Sequence, residues 1–138
     1  MPTLRSLRAA SAAEIVLAGQ ATVLLHAVRL VLWRVPYRRL LATAERVRAR
    51  PGARATAAEI GEAMRRAARA APGSTCLVRA LAAYILCRRA GVQAELCIGV
   101  ARGGDGSLEA HAWLRSGDRV LVGDRGMERY VPLRASVG

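Results

Sequence analysis

The stretch STCLVRALAAYILCRRAGVQAELCIGV, residues 74–100, changes its periodicity midway, and that change decides the fold. Ser74 or Thr75 can serve as an N-cap, the run from Cys76 to Ala90 reads as a helix, and Gly91 stands where a left-handed C-terminal cap is needed. Beyond Gly91, Val92, Ala94, Leu96, Ile98 and Val100 alternate with Gln93, Glu95, Cys97 and Gly99, the period-two pattern of a half-buried strand.

Downstream, ARGGDGS (residues 101–107) is a loop, and EAHAWLRSGDRVLVGD (109–124) supplies two more strands around a Gly-Asp turn. Upstream there are only helices. Residues 13–34 form a mostly apolar helix with a narrow polar stripe of Thr22, His26 and Arg29, so part of its surface is expected to pack on its own domain and part on a partner. Pro36 ends it, and a second helix is expected over Tyr37–Arg50 with Leu40, Leu41, Ala44 and Val47 on one face. PGARAT (51–56) is a turn. Thr56 followed by Glu59 is a capping box that opens a third helix over 57–71. A run of helices followed by a run of strands is an α+β arrangement, with helices packed on an antiparallel sheet.

The chain has 138 residues, which bounds it to one domain able to bury its own core. Hydrophobic residues make up 53% and charged residues 23%, a globular composition. All 22 basic residues are arginine, and they spread from Arg5 to Arg134. Arginine without lysine, beside abundant alanine and glycine, matches GC-rich codon usage. With aromatics at 4% and no basic stripe, the pattern argues against nucleic-acid binding. The net charge of +12 still favours an acidic partner surface or peptide. The N-terminus lacks the order of a signal peptide. Residues 15–28 are uncharged but interrupted by Gly19, Gln20, Thr22 and His26, and Arg29 stops the run. They read as too short and too polar for a membrane span, which needs about 20 predominantly apolar residues. Cys76, Cys87 and Cys97 match no zinc spacing and leave an odd count for disulfides, so the expected setting is reducing and cytoplasmic, with no metal and no cofactor.

With Gly117 and Asp118 as a two-residue type II′ loop, Ser116 faces Arg119 and outward counting places His111 directly opposite Asp124. Opposed residues have Cβ atoms about 4.5–5.5 Å apart, within reach of a carboxylate–imidazole hydrogen bond. Asp118, inside the turn, points away from this pairing. His111 shares its strand face with Glu109, Trp113 and Arg115. Glu109 is a candidate for the cleft wall, and Trp113 for a shield over the Asp–His bond. Of the three cysteines, Cys76 alone falls in the first turn of a helix, where unpaired N–H groups and the helix dipole favour a thiolate. Its own N–H is a candidate oxyanion donor. These residues propose Cys76 as nucleophile, His111 as general base and then acid, and Asp124 as the group that holds the imidazole tautomer. The same spacing also fits a small buried thiol and a satisfied core histidine.

The segment from Ser74 to Asp124, with CLVRAL after a helix-breaking loop, LCIGV and AHAW, resembles the stand-alone transglutaminase-like cysteine proteases that remove leader peptides in lasso-peptide biosynthesis. The long apolar helix running into VPYRRLL is similar to that family too. The resemblance implies a papain-like Cys-His-Asp triad on Cys76, His111 and Asp124. It also implies a separate leader-binding protein that presents the precursor peptide, and a lasso cyclase that closes the released core. On this reading residues 1–138 form a single domain, with 1–50 an N-terminal helical segment open to partner docking and 51–138 the protease core. The alternatives are transfer of the acyl group to an amine by the same triad, and a non-catalytic partner-binding module.

Overall fold

The chain builds its helices first and its sheet last. In the computed structural model, which describes residues 11–124 and 130–132, four helices precede four strands: α1 (Ala12–Leu32), α2 (Tyr37–Glu45), α3 (Ala57–Ala70), α4 (Cys76–Ala90), β1 (Glu95–Arg102), β2 (Leu108–Ser116), β3 (Arg119–Val122) and β4 (Val131–Pro132). Residues 1–10 of the expected N-terminal segment, and 125–129 and 133–138 of the expected core, lie outside the described residues. The strands form one antiparallel sheet in the order β3-β2-β1-β4, so the architecture is α+β.

Local sequence accounts for most helix ends. Ser11 and Thr56 each accept from the backbone N–H three residues on, while Glu14 and Glu59 reach back to the cap N–H, two complete capping boxes. Helix α4 starts at Thr75, whose Oγ1 accepts from Val78 N at 3.2 Å. It ends at Gly91 with φ 71°, where Val92 N donates to Cys87 O and Gly91 N to Arg88 O. That pair of bonds is the Schellman motif, and it needs the left-handed conformation glycine adopts freely.

Helix α2 departs from expectation, stopping at Glu45 rather than Arg50. The cause is tertiary. Arg88 on α4 donates to the carbonyls of Glu45 and Val47, and Arg50 N donates to Arg89 O. The Glu45 carbonyl, which a longer helix would have given to Ala49 N, is taken by α4, and the chain leaves the helix to meet it.

The core joins helices on both sides of position 50. Ala21, Leu25 and Val28 of α1, Leu41 and Ala44 of α2, and Ile60, Ala63, Met64 and Ala67 of α3 are buried with α4 and the inner face of the sheet. Helix α4 is enclosed nearly all round, with Ala80, Leu81, Ala82, Ala83 and Tyr84 buried. Helix α1 packs on α3 and α4 yet leaves Val23 and Leu30, and Trp33 at its C-cap, at 68%, 64% and 78% exposed. It also corrects the count made on residues 15–28. As a 21-residue helix with mean hydropathy 1.9 over its most apolar window, it has the length and composition of a membrane-crossing segment, with 17% of that window buried in the domain.

The strands also depart from a simple half-buried pattern. β1 begins at Glu95, three residues later than the alternation from Val92 indicated. Leu96 and Cys97, on opposite faces, are both buried. The second face is covered because Trp113 lies over Gly99, where a Cβ would meet the indole ring at 2.9 Å. β4, not foreseen from the sequence, pairs Val131 with Val100 and Pro132 with Gly99.

Tyr84 is 1% exposed, and its hydroxyl finds no hydrogen-bond partner among the described residues. An unsatisfied buried hydroxyl costs about 1–3 kcal/mol, so Tyr84→Phe is expected to raise stability by about 1 kcal/mol in urea denaturation. A loss of similar size would mean that the hydroxyl has a partner.

Candidate active site

Cys76 is the first residue of α4, directly after the Thr75 cap and the Pro72-Gly73 break. Its side chain is half-buried, and its Sγ accepts the backbone N–H of Ala112 at 3.4 Å. Ala112 follows His111 on β2, so the helix start docks on the strand beside the histidine. Cys76, His111 and Asp124 line one cavity of about 560 Å³, together with Gly123 and side chains from α3.

The anticipated register between His111 and Asp124 is corrected. Ser116 pairs with Arg119 and Arg115 with Val120, as counting from the Gly117-Asp118 turn requires, but Leu114 pairs with Val122. Leu121 is thus an extra residue, a β-bulge that shifts everything beyond it by one position. Its physical reason is packing. Leu121 and Val122 are consecutive, and both are buried in the core on the helix side of the sheet, whereas an unbulged strand would send them to opposite faces. Gly61 on α3 lets the helix approach the Leu121 backbone, where a Cβ would lie 3.3 Å from the Leu121 carbonyl oxygen.

The group that orients the imidazole is accordingly a backbone carbonyl. His111 Nε2–H donates to Gly123 O at 2.7 Å, one residue before Asp124. A carbonyl oxygen can only accept, so Nε2 carries a proton, and in the neutral ring the lone pair is then on Nδ1, the tautomer in which Nδ1 can act as a general base. Asp124 is exposed at the cavity wall. Asp118 is exposed in the turn, away from the cavity.

Two rings stack on the imidazole. Trp113 lies at 5.9 Å between centroids and Tyr130 at 5.0 Å, with interplanar angles of 26° and 29°. Trp113 is buried and shields His111 rather than an Asp–His bond. Tyr130, brought in by β4, was missed because a two-residue strand after Asp124 has no readable period. Glu109 does not reach the cavity. It is exposed near the start of β2, with its carboxylate against Gly103 in the β1–β2 loop.

The other cysteines are set apart by burial, which pushes the Cys87 thiol up to about 12. Burial also raises Cys97, with Glu95 adding to the shift and Arg115 opposing it. Among the described residues no group of three or more His, Cys, Asp or Glu side chains is arranged to hold a metal ion.

A family model described as the transglutaminase-like superfamily matches the chain over residues 21–135. No curated protein and no solved structure matches it.

Cys76 is expected to be alkylated by iodoacetamide at pH 8 before Cys87 and Cys97, as read by peptide mass mapping. A pKa raised from 9.0 to about 12 leaves Cys87 with about a thousandfold less thiolate than an ordinary thiol, and raising the pH to 9 should not close that gap. Equal rates at the three cysteines would contradict this ordering. Gly123 has φ 84°, and a Cβ there would meet Ala112 O at 2.6 Å. Gly123→Ala is therefore expected to cost more than about 1 kcal/mol in urea denaturation. Gly104, where a Cβ would find no neighbour within 4 Å, serves as the neutral alanine control.

Proposed function

Since the chain belongs to the transglutaminase-like superfamily, which includes cysteine peptidases and acyltransferases, we propose that it is a cysteine endopeptidase removing the leader from a lasso-peptide precursor. The observation that carries the reading is the shared cavity of Cys76 and His111. The thiol stands at a helix start, and the ring has its Nε2 proton committed to Gly123 O.

In the proposed reaction the Cys76 thiol gives its proton to His111 and attacks the scissile carbonyl carbon. The backbone N–H of Cys76 supports the oxyanion. The C–N bond breaks as His111 returns the proton to the departing amine, leaving a thioester on Cys76. Water, deprotonated by His111, then hydrolyses the thioester and restores the thiol. Asp124 takes the third place of the triad, helping to stabilise the imidazolium from the strand end that also carries the Gly123 carbonyl.

The resemblance over Ser74–Asp124 supports the precursor peptide as substrate, a leader-binding protein as presenter and the lasso cyclase as successor. The exposed apolar side of α1, with Val23, Leu30 and Trp33, is the surface we assign to the leader-binding protein. Three free thiols suit a reducing cytoplasm.

The test is the mass spectrum of the precursor incubated with this protein and the leader-binding protein, for wild type and Cys76→Ala. A single cut with wild type alone is the expected result. A product heavier by an added amine would replace hydrolysis with acyl transfer, and no cut by either protein, with partner binding confirmed, would leave the interaction-module reading. His111→Ala should lower the cleavage rate by about 10²–10⁴-fold. Asp124→Asn should cost less, because the Gly123 carbonyl still orients the ring.

A further inference from the structure

The cavity holding Cys76 and His111 is also where arginines from two helices converge. Arg79 follows Cys76 by one helical turn, so the two share a face of α4 with Cβ atoms about 5–6 Å apart. Arg65 and Arg69, one turn apart on α3, line the same cavity. Arg65 is engaged, its Nη1 lying 3.2 Å from Glu62. Arg69 and Arg79 form no ion pair among the described residues. Arg79 is held from one side, its Nε donating to Oγ of buried Ser74 at 2.8 Å, while Nη1 and Nη2 have no acceptor among the described residues.

We propose that Arg79 and Arg69 form a carboxylate-binding subsite for an acidic side chain of the peptide, next to the carbonyl that Cys76 attacks. The inference rests on Cys76 as nucleophile and adds the substrate class, a peptide with Glu or Asp beside the scissile bond. The chemistry fits. A guanidinium pairs with carboxylate through parallel N–H donors, and one already fixed through Nε loses less freedom on binding. Within a partly enclosed cavity such a pair is less screened than on open surface, and the +12 chain draws anions towards it. Asp124 is the one carboxylate in the cavity wall among the described residues, against Arg65, Arg69 and Arg79.

Two alkylating agents that differ in charge test the subsite without any partner protein. Iodoacetate and iodoacetamide both alkylate a thiolate through their CH2 carbon with loss of iodide, leaving a carboxymethyl or a carbamidomethyl group on sulfur, but only iodoacetate carries a carboxylate. Their rate ratio at Cys76 in the folded full chain, divided by the ratio at the same cysteine in the urea-unfolded chain, is expected to be about tenfold at low salt. Arg79→Gln and Arg69→Gln should each bring it towards unity, and Arg79→Lys should retain part of it. Arg69 is exposed on the last turn of α3, so its replacement keeps the test valid even where Arg79→Gln unfolds the chain through loss of the Ser74 contact. A wild-type ratio near unity, or one that Arg69→Gln leaves unchanged, would overturn the subsite. A raised ratio in a protein that leaves the precursor uncut would keep the subsite and remove the peptidase reading. A precursor cut by wild type with a ratio of unity would do the reverse.

Discussion

Close approach between α4 and the sheet is the constraint on which the site depends. Ala80 and Ala83, on the same face of α4 as Cys76, are fully buried, and side chains of that size let the helix sit near the strand on which Cys76 docks. The first residue of the helix thereby comes within reach of the β2 backbone, where Cys76 Sγ accepts the Ala112 N–H. A helix held further out by larger residues would still have a cysteine at its start. It would not have that cysteine beside His111.

The second requirement is orientation of the imidazole, and here the sheet uses irregularity. The bulge at Leu121 turns two consecutive apolar residues inward and swings the strand end so that the Gly123 carbonyl, rather than a carboxylate, receives the Nε2 proton. The positive φ of Gly123 and the close fit of its Cα against Ala112 and Trp113 explain why glycine occupies that position. Trp113 and Tyr130 then fix the ring by stacking, and Trp113 can lie flat because Gly99 has no side chain beneath it. Helix, bulge and aromatic cover converge on one imidazole from three parts of the chain.

Charge and burial divide the surface into distinct regions. The cavity beside Cys76 is rich in arginine, whereas the outer side of α1 is apolar. The three thiols follow the same division. Cys87 and Cys97 are enclosed by the core and the covered sheet, and burial holds their protons, while Cys76 stays at the cavity with the N-terminus of α4 behind it. A uniform arginine content therefore produces a local effect only where the fold gathers side chains around a recess.

Local chemistry written in the sequence determined the capping boxes at Ser11 and Thr56, the Gly91 terminus, the Gly117 turn and the α+β order, because each depends on residues a few positions apart. It also singled out Cys76, since only one cysteine follows a helix cap, and His111, since only one histidine lies on a strand. Tertiary structure decided what depends on distant partners. Arg88 shortened α2 by taking the Glu45 carbonyl, packing of α3 against Leu121 displaced Asp124 from its place opposite His111, and β4 delivered Tyr130. A register can be counted from a turn only while successive side chains alternate between the two faces, and here the demand to bury both Leu121 and Val122 on the helix side broke it.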